Sequence, residues 1–183
     1  MKYMDALMKW WADPETIVIP AGQDNRVIDW LDQQNADTWH QVVMSWNYDH
    51  GSKVLSWMLQ QDRCDQGTAA QVFLVEGDGH WLWDALADPN KPQDDSHVCS
   101  VILKNWDRYK TADLQPKHRG ISDRLIALVE EKGNQGRYAN TALQDIMRYT
   151  GKRQAASRFG SEDGQIVVAL EHWAHAKGIE ITA

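Results

Sequence analysis

Cysteine and phenylalanine are scarce in this chain, with two of each among 183 residues. Cys64 and Cys99 form no CxxC pair and no recognised metal-ligand spacing, which argues against a zinc module and a disulfide framework. Free thiols in a reducing cytoplasm are the expectation. No apolar run approaches the roughly 18 residues that span a bilayer, so no membrane segment is expected. The opening MKYMDALMKWWADP carries too many charges around too short an apolar run to read as a signal peptide. Self-similarity at the period of a helical-repeat array is also missing.

What is present suits a globular helical protein. Hydrophobic residues make up 43% and charged residues 25%, and a chain of this length can bury a core without metals or disulfides. Ten tryptophans stand against the two phenylalanines. Each joins a large apolar body to a single N–H donor, which favours dense packing and, more weakly, binding. Charge is unevenly spread: residues 1–100 hold 6 Lys and Arg against 16 Asp and Glu, while residues 101–183 hold 13 against 10. The acidic part would steer cationic partners toward it and repel phosphate backbones.

Apolar residues recur at helical spacing almost throughout. Met4, Leu7, Met8 and Trp11 form one stripe, and Trp39, Val42, Val43 and Trp46 repeat its intervals. DNRVIDWLDQQN supplies a short helix with Asp24 as its N-cap. Later stripes run through Val98, Ile102, Trp106 and Tyr109; through Ile121, Leu125, Leu128 and Val129; through Leu143, Ile146 and Met147; and through Ile166, Val167, Leu170 and Trp173. TIVIP and GIEIT are the only strand-like pieces, too short to found a sheet. The expected fold is therefore all-α, a compact multi-helix domain. Turn formers near ADPNKPQDDS and PKHRG divide a helical domain over 1–115 from a helical stretch over 116–183, which is either an extension or part of the same domain.

Within residues 46–69, Asp-x-Gly-Ser/Thr occurs twice, as Asp49-His50-Gly51-Ser52 and Asp65-Gln66-Gly67-Thr68. An aspartate just before an apolar-periodic segment can accept from the free amides of the first helical turn, and its charge suits the positive helix end. Glycine at the second helical position leaves room for a neighbouring chain. Asp49, Gly51, Asp65, Gly67 and Thr68 thus read as structural caps. The competing reading gathers Asp49, His50, Cys64, Asp65 and His80 as metal ligands or acid–base groups, but no pair has the spacing of a known zinc site. Cys64 reads as a small buried apolar residue, since Asp65 beside it opposes a thiolate.

The run Trp46-Asn47-Tyr48-Asp49-His50-Gly51, followed by Cys64-Asp65-Gln66-Gly67-Thr68-Ala69, resembles an uncharacterised bacterial domain family with an Asn-Trp-Asp-Asp-Gly-like box and a Cys-Asp-x-Gly-Thr-Ala box. The resemblance covers roughly residues 37–88, and Tyr48 and His50 depart from the first box. It implies shared helical structure and assigns no catalytic residue.

Other constellations carry less. His172 and His175 share a helix face without an identifiable third ligand, and Thr150-Gly151-Lys152-Arg153 lacks the upstream glycine of a phosphate loop, so Gly151 reads as a helix C′ residue. Residues 101–160 hold 12 Lys and Arg against 6 Asp and Glu, interspersed with Tyr109, Tyr138, Tyr149 and Phe159. The acidic whole and the absence of a recognised motif disfavour nucleic acid. GDGHWLWDALADPNKPQDD places Trp81 and Trp83 among Asp84, Asp88, Asp94 and Asp95, an apolar centre with an acidic rim that would suit a basic protein partner. With no cofactor, metal or catalytic set in sight, the sequence favours a non-enzymatic cytoplasmic protein-interaction module, with a toxin-neutralising immunity protein as its concrete form. The alternative is an unrecognised hydrolase or nucleotide-handling enzyme with a helical cleft.

Overall fold

A computed structural model describes residues 24–44, 46, 48, 52–77, 81–111, 113–116 and 123–155. Among them the chain is all-α: eight α-helices and two short 3-10 turns, with no strand beyond two isolated bridges. The stripe starting at Met4, the segments TIVIP and GIEIT, and the helix carrying His172 and His175 lie outside the described residues, as do Asp49, His50, Gly51, Asp78 and His80. No helix among the described residues is long and apolar enough to cross a membrane.

The chain divides into two compact units, residues 1–54 with 155–183, and residues 55–154. In the first, α1 (Asp24–Leu31) and α2 (Ala36–Met44) are joined by a turn that ends at Asn35. The Asn35 side chain accepts from the Thr38 amide at 2.9 Å, capping α2. The indole Nε1 of Trp39 donates to the Leu31 carbonyl at 2.8 Å, so the end of α1 is closed by a buried residue of α2. Trp39, Val42, Val43 and Trp46, one expected stripe, are all buried. Asp24 is the first residue of α1 rather than the residue before it, and its carboxylate pairs with Lys53 at 3.6 Å.

In the second unit, α4 (Gln66–Glu76) is the central element. Its residues from Gly67 through Leu74 are all buried, so it is enclosed around its circumference rather than on one stripe. It packs on α6 (Val98–Asn105) and α8 (Leu143–Arg148), while α7 (Asp123–Lys132) packs on α5 (Leu82–Ala87) and α8. Phe73, Leu82, Leu86, Ile102, Leu125, Leu143 and Ile146 fill the space between them. At about 1.5–3 kcal/mol per fully buried large side chain, this cluster is the main stabilising term for the unit. After α6 the chain turns back: Trp106–Arg108 forms a 3-10 turn, and Lys110 then pairs with Asp65 at the start of α4.

α3 (Lys53–Leu59) begins directly after Ser52. Of the first Asp-x-Gly-Ser/Thr stretch only Ser52 lies among the described residues. In the second copy Asp65 immediately precedes its helix.

Candidate functional site

The Cys64–Ala69 stretch is wholly buried except for Gln66. Asp65 is the N-cap of α4, with extended backbone (φ −88°, ψ 145°), and its Oδ1 accepts from the Gly67 amide at 2.8 Å. The backbone on either side is tied to the returning segment: the Gln66 amide donates to the Lys110 carbonyl and the Lys110 amide to the Cys64 carbonyl, both at 2.8 Å. Gln66 Nε2 adds a contact to the Trp106 carbonyl at 3.3 Å, and the Tyr109 hydroxyl donates to the Leu59 carbonyl at 3.1 Å.

Gly67 explains why no other residue suits that position. A β-carbon there would overlap the Leu114 carbonyl oxygen and lie 2.7 Å from the carbonyl carbon. Gly151, which has φ +58°, approaches the same carbonyl, and a β-carbon there would overlap the same oxygen. Gly151 lies two residues past Tyr149, the C-cap of α8, so it is not the C′ residue, and its role is this close pass. The Asp113 carbonyl accepts from the Lys152 and Arg153 amides, each at 2.9 Å, and the Gln115 amide donates to the Arg153 carbonyl at 2.8 Å. Lys110 is thus tied to the start of α4, and Asp113 and Gln115 to the chain leaving α8.

Three side chains around this joint have perturbed protonation. Burial, then the neighbouring Asp65, pushes the Cys64 thiol up to about 12, which makes it a neutral packing group and no nucleophile. Burial, then the neighbouring Cys64, pushes the Tyr109 phenol up as well. Tyr149 stacks edge-on against Trp106 at 5.6 Å, and burial, followed by Asp65 and Asp113, raises its phenol to about 12. All three are held in their neutral forms. The joint presents no acid or base poised near neutrality among them.

The acidic segment is a second candidate. Asp84, Asp88, Asp94 and Asp95 are exposed, and Trp81 and Trp83 are half-buried. Trp81 stacks on His97 with planes 8° apart and centroids 5.3 Å apart, and meets Phe73 edge-on. The Trp83 ring is covered by the Arg124 guanidinium at 5.3 Å. Each tryptophan is therefore engaged by a residue of another part of the chain. The aspartates have unequal surroundings: Asp94 accepts from the Ser96 amide and hydroxyl at 2.8 and 2.7 Å, Asp88 accepts from the Asn90 amide at 3.1 Å, and Asp95 pairs with Lys104 at 2.9 Å and Arg137 at 3.6 Å. Asp84 and Asp88 form no ion pair among the described residues. Arg137 straps the loop further, its amide donating to the Pro89 carbonyl and its Nη1 to the Lys91 carbonyl, both at 3.2 Å.

A cleft of about 160 Å³ lies between α7 and α8, lined by Ile126, Val129, Glu130, Gln144, Met147 and Arg148. Its polar rim is an exposed Glu130–Arg148 pair at 3.8 Å. Among the described residues, no three His, Cys, Asp or Glu side chains gather closely enough to hold a metal ion.

Sequence reasoning named Tyr149 only as an aromatic of the basic stretch and did not single out Leu114, Arg137 or His97. Leu114 acts through a backbone carbonyl, which leaves no residue-type signal. His97 did leave one, since it stands directly before the apolar periodicity of α6, where a capping residue belongs.

Residues 34–96 match the family model for a domain of unknown function, DUF4274. That stretch includes the Cys64–Ala69 box and the acidic segment, but neither Leu114 nor Gly151. No curated protein and no solved structure matches the chain.

Proposed function

We propose that this chain is a protein-binding module that presents the surface from Asp84 to Asp95 to a basic protein or peptide, and that neutralising a cationic toxin by covering it is the form of binding this surface suits best. The observation that carries the reading is the pairing of order with unsatisfied charge. Arg137, Lys104 and the Asp94 turn fasten the segment, while Asp84 and Asp88 remain exposed without a cationic partner among the described residues. A preorganised loop loses less conformational freedom on binding, and exposed like charges accelerate encounter with a partner of opposite sign.

The test is a titration of isotope-labelled protein with a lysine- and arginine-rich peptide, followed by association kinetics at two salt concentrations. Shifts should map to residues 82–95, and association should slow as screening shortens to about 8 Å at 0.15 M salt. Asp84→Asn with Asp88→Asn should slow association several-fold with no loss of thermal stability. Unchanged association by the double variant, or shifts confined to other helices, would overturn the reading.

A further inference from the structure

His97 caps α6 with a ring nitrogen. Its backbone is extended (φ −61°, ψ 138°), and Nδ1 accepts from the Cys99 amide at 3.2 Å. That bond requires the neutral ring with Nδ1 unprotonated, so its proton sits on Nε2. One face of the ring lies on Trp81, and the residues before it form the acidic loop. Most N-caps are Ser, Thr, Asp or Asn, whose acceptor survives across the physiological range. This acceptor does not.

We propose that His97 is a proton-sensitive cap: protonation of its ring removes the acceptor for the Cys99 amide, frees the first turn of α6 and loosens the loop from Asp88 to Ser96. A protonated Nδ1 would face an N–H donor, and the imidazolium would sit at the positive end of a helix dipole. Two features favour the charged ring, namely the stacked Trp81 face and the carboxylate of Asp94 on the preceding turn. Glu76, at the end of α4, acts on Cys99 in the first turn of α6, and Lys104 further along α6 is engaged by Asp95. Burial outweighs Asp94 and holds the ring below its ordinary value, in the direction that the lost cap also demands.

The sign follows from linkage. The unfolded ring takes its proton near 6.5, and the folded ring at lower pH, so the stabilisation is complete above about pH 6.5 and is lost as pH falls from there through the folded value. The Ser100 hydroxyl, which donates to the Asp94 carbonyl at 2.8 Å, ties the first turn of α6 to the acidic loop, so both would respond together. Release of a basic partner on mild acidification would then follow. That last consequence alone rests on the function proposed above.

The experiment needs no partner. The His97 ring resonances and the exchange protection of the Cys99 and Val101 amides are followed from pH 7.5 to 5.0 in the wild type and in His97→Asn, which retains a capping acceptor but does not titrate. The wild type should show a ring titration below 6.5 and at least a tenfold loss of Cys99 protection, corrected for intrinsic exchange, tracking that titration. His97→Asn should keep its Cys99 protection across the range. A ring that titrates at or above 6.5, or a Cys99 protection loss of the same size and midpoint in His97→Asn, would overturn the proposal. Binding of the lysine- and arginine-rich peptide at pH 7.5 and 5.5 reports separately on the surface reading: a proton-sensitive cap with no peptide binding at either pH would remove that reading and leave this one standing.

Discussion

Gly67 shows how much one missing side chain can decide. Its Cα faces the Leu114 carbonyl so closely that a methyl group would have to displace a backbone rather than a flexible side chain. Gly67→Ala should therefore cost roughly 2–3 kcal/mol, in the range of overpacked cores. Asp65→Ala should cost roughly 1–2 kcal/mol through loss of the cap, and Asp65→Asn, which keeps an acceptor, clearly less. Urea unfolding measures all three. The thiols make a separate prediction. Cys64 and Cys99 are both fully buried and held protonated, so a thiol reagent at pH 8 should label neither in the native protein and both after denaturation. Rapid labelling of Cys64 in the folded state would contradict the packing role assigned to it.

At the level of elements, the helices were legible where periodicity was strong and the cap residue was conventional. Asp65 ahead of Gln66–Glu76 and the stripe Val98–Ile102–Trp106 could be read directly, because side-chain chemistry and spacing carry those signals. The course of residues 109–111 and 113–116 could not. It depends on backbone pairing with Cys64, Gln66 and Arg153, and backbone groups are the same in every residue. The acidic segment was half legible: its charge was visible, but its fastening by Arg137, some 45 residues later, was not. Arg137→Ala should raise the exchange rates of loop amides between Asp88 and His97 several-fold. It should lower global stability by no more than about 1 kcal/mol, since its ion pair with Asp95 is solvent-exposed. Unchanged loop exchange in that variant would mean that the strap does not order the loop.

For the molecule as a whole, an acidic first hundred residues and a more basic remainder describe the charge, while the joint at Gly67, Leu114 and Gly151 describes how residues 55–154 hold together. The DUF4274 match ends at residue 96, so the segment that seats against Gly67 is supplied by chain beyond the matched stretch. The reading of the Cys64–Ala69 box as a structural joint, with no catalytic part, requires that Gly67 and Gly151 act on one shared object. A double-mutant cycle of Gly67→Ala and Gly151→Ala, measured by urea unfolding, tests this most directly. Either substitution displaces the Leu114 carbonyl, so the two are coupled and the pair should depart from additivity by about 1 kcal/mol or more. Strict additivity within about 0.5 kcal/mol, or wild-type stability in Gly67→Ala, would contradict the account.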